Sequence, residues 1–105
     1  MAAVQRFKLV FFVPTASLDA CKNAVFAAGA GRYPNYAEVC FQSPGTGQFR
    51  PINAAKPVIG EVGKLEKVDE VRFETVCNGR DVAVAAVEAL KKRVFLCSPF
   101  GGNKF

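Results

Sequence analysis

The stretch of this 105-residue chain best suited to bind a ligand is glycine-rich and runs from Ser43 to Gly47, SPGTG. Glycine leaves backbone N–H groups uncovered, and successive amides can form a concavity that accepts an anion. The run has neither the lysine spacing of a Walker phosphate loop nor the G-x-G-x-x-G spacing that opens a dinucleotide-binding helix. We predict ligand binding at Gly45, Thr46, Gly47 and Arg50, with a purely structural turn as the alternative.

A second candidate is the alternating row Glu70, Arg72 and Glu74. Two carboxylates at this spacing lie on one face of a strand, where they could act as an acid and a base. An arginine between two carboxylates on an open strand face is more typical of ion pairs, either across strands or between subunits. We therefore interpret the row as an ion-pair network and predict no catalytic residue in it.

The cysteines offer a third chemistry. Cys40 lies beside the glycine-rich run and could be a nucleophile, but the chain contains no histidine to activate it. The four cysteines, Cys21, Cys40, Cys77 and Cys97, form no C-x-x-C pair, and a zinc site needs clustered thiolate or imidazole ligands. We predict buried thiols, no metal and no cofactor.

Composition favours one packed domain, since half of the residues are hydrophobic. The formal net charge is +5, but only Lys91 to Arg93 form a cationic run, at a predicted helix C-terminus that accepts positive charge. Nucleic acid binding is therefore not expected. No apolar segment approaches the roughly 18 residues of a membrane span, and Leu9 to Val13 is too short for a signal-peptide core. We expect a cytoplasmic protein that does not enter a membrane.

The first half of the chain has a strand and then a helix. The nearly continuous apolar run from Phe7 to Val13 predicts a strand covered on both faces. Thr15 or Ser17 can cap the helix, and Gly29 and Gly31 can end it. Its apolar positions share one face: Leu18, Cys21, Val25 and Ala28.

The middle of the chain predicts a short strand from Tyr36 to Gln42, with one covered and one open face. The glycine-rich run breaks this strand, and extended structure resumes at Gln48 to Arg50. A clearer strand spans Val68 to Cys77, with Glu70, Arg72 and Glu74 on its open face. The opposite face carries Val71, Phe73, Thr75 and Cys77.

A second helix follows the turn from Asn78 to Arg80 and is capped by Asp81. Its predicted buried stripe is Ala83, Val87 and Leu90. The run from Val94 to Cys97 predicts a last strand. The order β-α-β-β-α-β, with two helices on one face of an antiparallel sheet, predicts an α+β ferredoxin-like sandwich. Its open sheet face favours oligomerisation through that face or the sheet edges.

Several motifs together resemble one family, the insert domain of the NGG-interacting-factor-three-like proteins, also called type-2 GTP cyclohydrolase I. The motifs are Gly29-Ala30-Gly31, Asn35-Tyr36 followed by Cys40, G-x-G-x-F-x-P from Gly45 to Pro51, P-x-x-G-x-x-G from Pro57 to Gly63, and E-x-R-x-E from Glu70 to Glu74. The resemblance covers residues 6–92 and identifies residues 1–105 as a single domain similar to the PII signalling proteins and CutA.

The resemblance implies a homo-oligomer, with a trimer favoured and a dimer as the alternative. It also implies that the dinuclear metal site of the parent proteins lies in flanking domains and outside this chain. Members of the family follow the second helix with His-Pro-Tyr-Glu-Glu, whereas this chain departs from that pattern from Arg93 onward. No role of that element transfers to residues 93–105.

We therefore expect a non-enzymatic accessory module that binds a small anionic ligand or a protein partner. In a trimer of this fold, the segment from Gly45 to Pro51 would approach the neighbouring subunit and form any ligand site. One alternative is a hydrolase acting on a nucleotide, as the family's cyclohydrolase name implies. The other is a purely structural assembly domain.

Overall fold

A computed structural model describes residues 5–53 and 60–97 of the chain. The elements in chain order are β1 (Arg6–Pro14), a 3-10 turn (Thr15–Ser17), α1 (Leu18–Ala27), β2 (Cys40–Phe49), β3 (Glu66–Asn78) and α2 (Arg80–Cys97). The three strands form an antiparallel sheet in the order β1-β3-β2, and both helices pack on one face of it. The predicted α+β class is confirmed. None of the described helices is long and apolar enough to cross a membrane.

The core lies between this sheet and the two helices. Phe73 at the centre of β3 is completely buried, stacks on Phe11 of β1 at 4.8 Å between ring centroids, and meets the edge of Phe26 of α1 at 5.9 Å. Cys21 and Cys77 are also completely buried, and burial raises the pKa of the Cys77 thiol. These two cysteines are core residues, as predicted.

The described residues cover strand β1 on one face only, which contradicts the prediction of a strand covered on both faces. Phe11 and Val13 are buried, whereas Phe12 between them is 61% exposed. The reason is that both helices lie on the same side of the sheet, which leaves alternate residues of β1 on the open side.

Strand β2 runs without interruption through the glycine-rich run, so the predicted break between Ser43 and Gly47 is wrong. Pro44 lies opposite Val71 in the ladder, and β2 is an edge strand of the sheet. A proline is tolerated on an edge strand where its position requires no N–H donor to the neighbouring strand.

The ends of α1 agree only in part with the predictions. Ser17 precedes the helix without a side-chain capping hydrogen bond, and Asp19 places a negative charge in the first turn instead. Gly29 and Gly31 follow the helix with φ of 108° and 76°, the left-handed conformations that glycine adopts readily.

Helix α2 continues through Val94 to Cys97, so the predicted last strand is wrong there. Nothing from Arg80 onward interrupts a helix until Pro99, and proline disfavours helical conformation in the residue before it. The remaining tail, residues 98–105, lies outside the described residues. Of the predicted stripe, Leu90 is buried and Ala83 packs against the core, while Ala86 is the fully buried residue that the prediction missed.

Gly31 joins α1, β2 and β3 through its backbone. Its N–H donates to the Val76 carbonyl at 2.7 Å, and its carbonyl accepts from the Val39 N–H at 2.8 Å. A Cβ atom at this position would lie 2.8 Å from the Val39 carbonyl oxygen and 2.8 Å from the Phe26 ring. Only glycine satisfies both the backbone conformation and the space at this position.

We predict that Gly31→Ala lowers the free energy of unfolding by about 2–4 kcal/mol, because the left-handed strain and a steric clash add. Urea denaturation followed by circular dichroism measures the change. Gly45→Ala is the matched control, since a Cβ there meets no atom of the described residues within 4 Å and its φ is not positive. A Gly31→Ala variant as stable as Gly45→Ala would contradict the role assigned to Gly31.

Candidate functional site

The directions of the backbone amides determine which parts of the sheet can donate hydrogen bonds to a ligand. The Gly79 N–H donates to the Gln5 carbonyl at 2.7 Å, so odd-numbered residues at this end of β3 face β1. The Gly31 N–H donates to the Val76 carbonyl, so even-numbered residues of β3 face the β2 side. This alternation is the normal property of an antiparallel ladder.

The amides of the two glycines in β2 are therefore directed into the sheet. Gly45 lies opposite Glu70 and Gly47 lies opposite Val68, both even-numbered residues of β3. The expectation that these two glycines leave their N–H groups uncovered is wrong for this reason. The amide of Thr46, between them, points to the outer edge of the sheet instead.

Arg50 lies apart from the glycines. It follows the end of β2 and is exposed. It lies five positions after Gly45, which in extended chain is a distance of about 17 Å. The four predicted ligand-binding residues therefore occupy one edge strand and its end, without converging on a single pocket.

The open face of the sheet has a shallow depression of about 240 Å³ beside the glycines. Phe12 of β1, Glu70 and Arg72 of β3, and Ser43 and Gly45 of β2 contribute to its lining. The arrangement follows from register, because Arg72 lies opposite Phe12 on one side and opposite Ser43 on the other.

Gly47 shapes this depression by its missing side chain. A Cβ atom there would collide with the Glu70 side chain. Glycine therefore allows the Glu70 carboxylate to lie across β2, beside the space above Gly45. The glycine-rich run gives the open face room for a β3 side chain.

An ion-pair network occupies the centre of the open face. Arg72 Nη1 donates to Glu74 Oε1 at 2.8 Å, and Lys8 Nζ lies 3.5 Å from Glu74 Oε2. The hydrogen bond from Arg72 is the main cause that holds the pKa of Glu74 below its usual value, and the positive charge of Lys8 adds to it. The ion-pair interpretation is confirmed for Arg72 and Glu74, and Lys8 pairs with Glu74 across strands, whereas Glu70 makes no ion pair within the described residues.

Two large apolar side chains flank the network. Phe12 on β1 and Phe41 on β2 are each 61% exposed, and Val10 lies beside Phe12 on the same face. The open face thus combines aromatic rings with charges of both signs. Such a surface suits contact with another protein surface.

The described residues do not provide the donors of a metal centre. Within residues 5–53 and 60–93, no three His, Cys, Asp or Glu side chains lie close enough to hold a metal ion, and the whole sequence has no histidine. The ligand set of a dinuclear metal site therefore does not fit this part of the chain, and no metal-dependent step is assigned to it.

Phe12, Phe41 and Lys8 are the residues of this face that the sequence analysis missed. Strand β1 was predicted to be covered on both faces, which hid the open positions of Phe12 and Lys8. The available signal was Lys8 itself, the one charge between Phe7 and Val13, since a charged residue on a strand indicates the solvent side.

Comparison with known proteins gives one consistent result, although no protein-family model matches the chain. It is 44% identical over 85 residues to the GTP cyclohydrolase 1 type 2 homolog of Bacillus subtilis, which covers 81% of this chain and 22% of that protein. The homologue of Halalkalibacterium halodurans is 44% identical over 70 residues, or 67% of this chain and 19% of that protein.

A solved structure agrees with these relatives. The crystal structure of a Bacillus cereus protein related to NIF3 matches with a TM-score of 0.72 and 32% identity, over 89% of this chain and 23% of that one. The chain thus spans about a fifth of the length of the curated relatives it matches.

We predict that Glu74→Gln makes stability less dependent on pH on the acid side. A carboxyl whose pKa is lower in the folded state stabilises the fold above its unfolded-state pKa, taken as 4.5, and this stabilisation is lost as pH falls through the folded pKa. The variant should be less stable than the parent at pH 7, and the difference should shrink below pH 4.5. Urea unfolding across this range measures both.

Glu70→Gln is the control on the same face, because Glu70 makes no ion pair within the described residues. It reports the general effect of removing one negative charge. If the two variants differ from the parent by the same amount at pH 7, the network around Glu74 contributes nothing specific.

Proposed function

This chain belongs to the NGG-interacting-factor-three-like family, and we propose that it is a non-enzymatic accessory module that docks another protein through its open sheet face. The observation that carries the proposal is the pair of exposed rings, Phe12 and Phe41, on either side of the Lys8–Glu74–Arg72 network. Aromatic and arginine side chains are the residue types enriched at protein contact surfaces.

The electrostatics of the depression favour a protein partner over a small anion. The Gly45 and Gly47 amides bond within the sheet, and Arg72 already donates to Glu74. The Glu70 carboxylate lies across Gly47 and would repel an anion placed in the depression. A protein surface can satisfy charges of both signs and cover the aromatic rings at the same time.

The partner on this face is, in this proposal, a second and third copy of the chain. The trimer comes from the resemblance to the PII and CutA proteins, with a dimer as the alternative. Exposed Phe12 and Phe41 support self-association because a monomer leaves both rings in water. A purely structural assembly domain is the limiting case, in which the oligomer is the whole function.

A second candidate function is anion binding at the outer edge of β2. Because the Gly45 and Gly47 amides point toward β3, the amides of Thr46 and Gln48 point to the outer edge of β2. Arg50 follows at the end of the same strand. Two amides and one guanidinium along an edge can hold a phosphate or carboxylate. This retains Thr46 and Arg50 of the predicted site and gives the glycines a structural role.

The enzymatic alternative rests on the name of the relatives. Those proteins are called GTP cyclohydrolase 1 type 2 homologues, and this chain matches about a fifth of their length. The chain has no histidine to act as a base or a metal ligand. A metal-dependent GTP hydrolysis assay on this chain separates an enzyme from an accessory module.

We predict that the protein elutes as a multiple of its 11.3 kDa mass and that Phe41→Asp lowers this mass. An added carboxylate within the contact face would be buried without a partner, which disfavours association. Light scattering at micromolar concentration measures the mass. Tyr36→Asp is the matched control, since Tyr36 is 72% exposed and lies in the turn before β2.

A measured mass of 11.3 kDa for the parent protein in solution would refute docking between copies. An oligomer that survives Phe41→Asp as well as it survives Tyr36→Asp would place the contact elsewhere. Thermal unfolding of both variants checks that each is folded.

We predict that Arg50→Ala lowers the affinity for GTP or inorganic pyrophosphate about ten- to a hundredfold, because a charge-assisted hydrogen bond contributes about 1.5–3 kcal/mol. Thermal shift at increasing anion concentration measures this effect. Arg32→Ala is the control, because Arg32 is exposed and lies outside β2. Equal shifts for the parent and Arg50→Ala would remove Arg50 from the anion site.

A further inference from the structure

We propose that the outer edge of β1 pairs with the same edge of a second copy, as antiparallel strands that cross at Val10. The two three-stranded sheets then join into one continuous sheet. This contact is separate from docking on the open face, because it uses backbone groups at the edge of the sheet. The edge contact joins two copies by twofold symmetry, whereas the contact through the open face proposed above joins three copies.

Half of the backbone N–H and C=O groups of β1 have no partner strand among the described residues. Within the described residues, β1 pairs with β3 alone, and its odd-numbered residues face β3, as the bond from the Gly79 N–H to the Gln5 carbonyl shows. Lys8, Val10 and Phe12 therefore direct both their N–H and C=O groups to the outer edge. A partner strand is the usual way to satisfy such a row of donors and acceptors.

The two edges of the sheet differ in how well they resist added strands. On β2, Pro44 removes an outward donor, and Gly45 and Gly47 weaken the strand. On β1, the only proline is Pro14 at the very end, and the residues between Arg6 and Pro14 are apolar except for Lys8. The β1 edge is therefore the one suited to pair with another strand.

The sequence of β1 is complementary to itself when reversed. When the antiparallel pair is centred on Val10, every residue from Arg6 to Pro14 lies opposite a residue of β1 in the other copy. Val10 then meets Val10 of the other copy, and Lys8 lies opposite Phe12. On the open face this places an ammonium group next to an exposed aromatic ring, a favourable cation–π arrangement.

The helix side of the same edge is largely apolar, with Arg80 and Glu88 as its charged residues, and no other described segment covers it. A depression of about 230 Å³ lies between β1 and α2, lined by Phe7, Ala83, Val84 and Val87 among others. Val84 remains 48% exposed. A neighbouring copy would thus cover apolar surface on both sides of the joined strands, in addition to forming backbone hydrogen bonds.

Val10→Pro tests the pairing with little effect on the fold. Because the Val10 N–H points outward, proline there removes no hydrogen bond to β3 but blocks an added strand. The parent mass should be an even multiple of 11.3 kDa, and Val10→Pro should halve it. Gln48→Pro is the matched control: its N–H points outward from the other edge, so its mass should equal that of the parent. Val10→Lys, which sets like charges opposite each other, should also halve the mass.

Hydrogen exchange of the Val10 amide identifies the occupant of the edge. Protection that increases with protein concentration supports pairing with a second copy. Protection in an 11.3 kDa monomer, independent of concentration, would show that another segment of the same chain covers the edge, and would overturn the proposal. An unprotected Val10 amide, or a mass unchanged by both Val10 variants while thermal unfolding shows them folded, would overturn it as well.

Discussion

The backbone of Gly31 ties the end of α1 to β3 and to the start of β2. Its N–H and C=O groups bridge Val76 of β3 and Val39 just before β2, in a space too small for a side chain. Thr75 adds a second link, since its hydroxyl donates to the Val39 carbonyl at 2.7 Å. Together these bonds fix the residue at which β2 begins to pair with β3, with Cys40 opposite Thr75.

That register determines which side chains face the helices and which face outward. Because a strand alternates with a period of two, Cys40 turns toward the core and Phe41 turns to the open face. The same alternation places Pro44 on the outer edge and the Gly45 amide inside the ladder. A shift by one residue would bury Phe41 and direct the proline toward β3, where its missing donor would cost a hydrogen bond.

The elements with one strong signal could be predicted from sequence. Strand β3 alternates strictly, and its buried and open faces agree with the prediction. Gly29 and Gly31 marked the end of α1 correctly. The errors arose where a local signal competes with tertiary context. Pro44 and its neighbouring glycines indicate a break by composition, but an edge strand needs no donor on its outer side.

The same limit explains the other misses. The apolar run of β1 does not reveal whether one face or two are covered, because that depends on where both helices pack. The β-branched and aromatic residues from Val94 to Cys97 favour a strand by propensity, yet they continue the helix that precedes them. The ligand-binding assignment assumed that the glycine-rich run is a loop with free amides. In the structure the run is part of β2, so the Gly45 and Gly47 amides bond to β3 instead.

Charge balance explains how the open face could be covered by a partner. Lys8 and Arg72 are positive, Glu70 and Glu74 are negative, and Glu74 already accepts from both cations. Removing isolated charges from water is costly, but charges that satisfy one another before contact lose less on desolvation. Since these four charges sum to zero, a docking surface needs no net charge of its own to match them. It must instead supply apolar groups for Phe12 and Phe41 and a hydrogen-bond donor for Glu70, and these requirements define the kind of partner that fits.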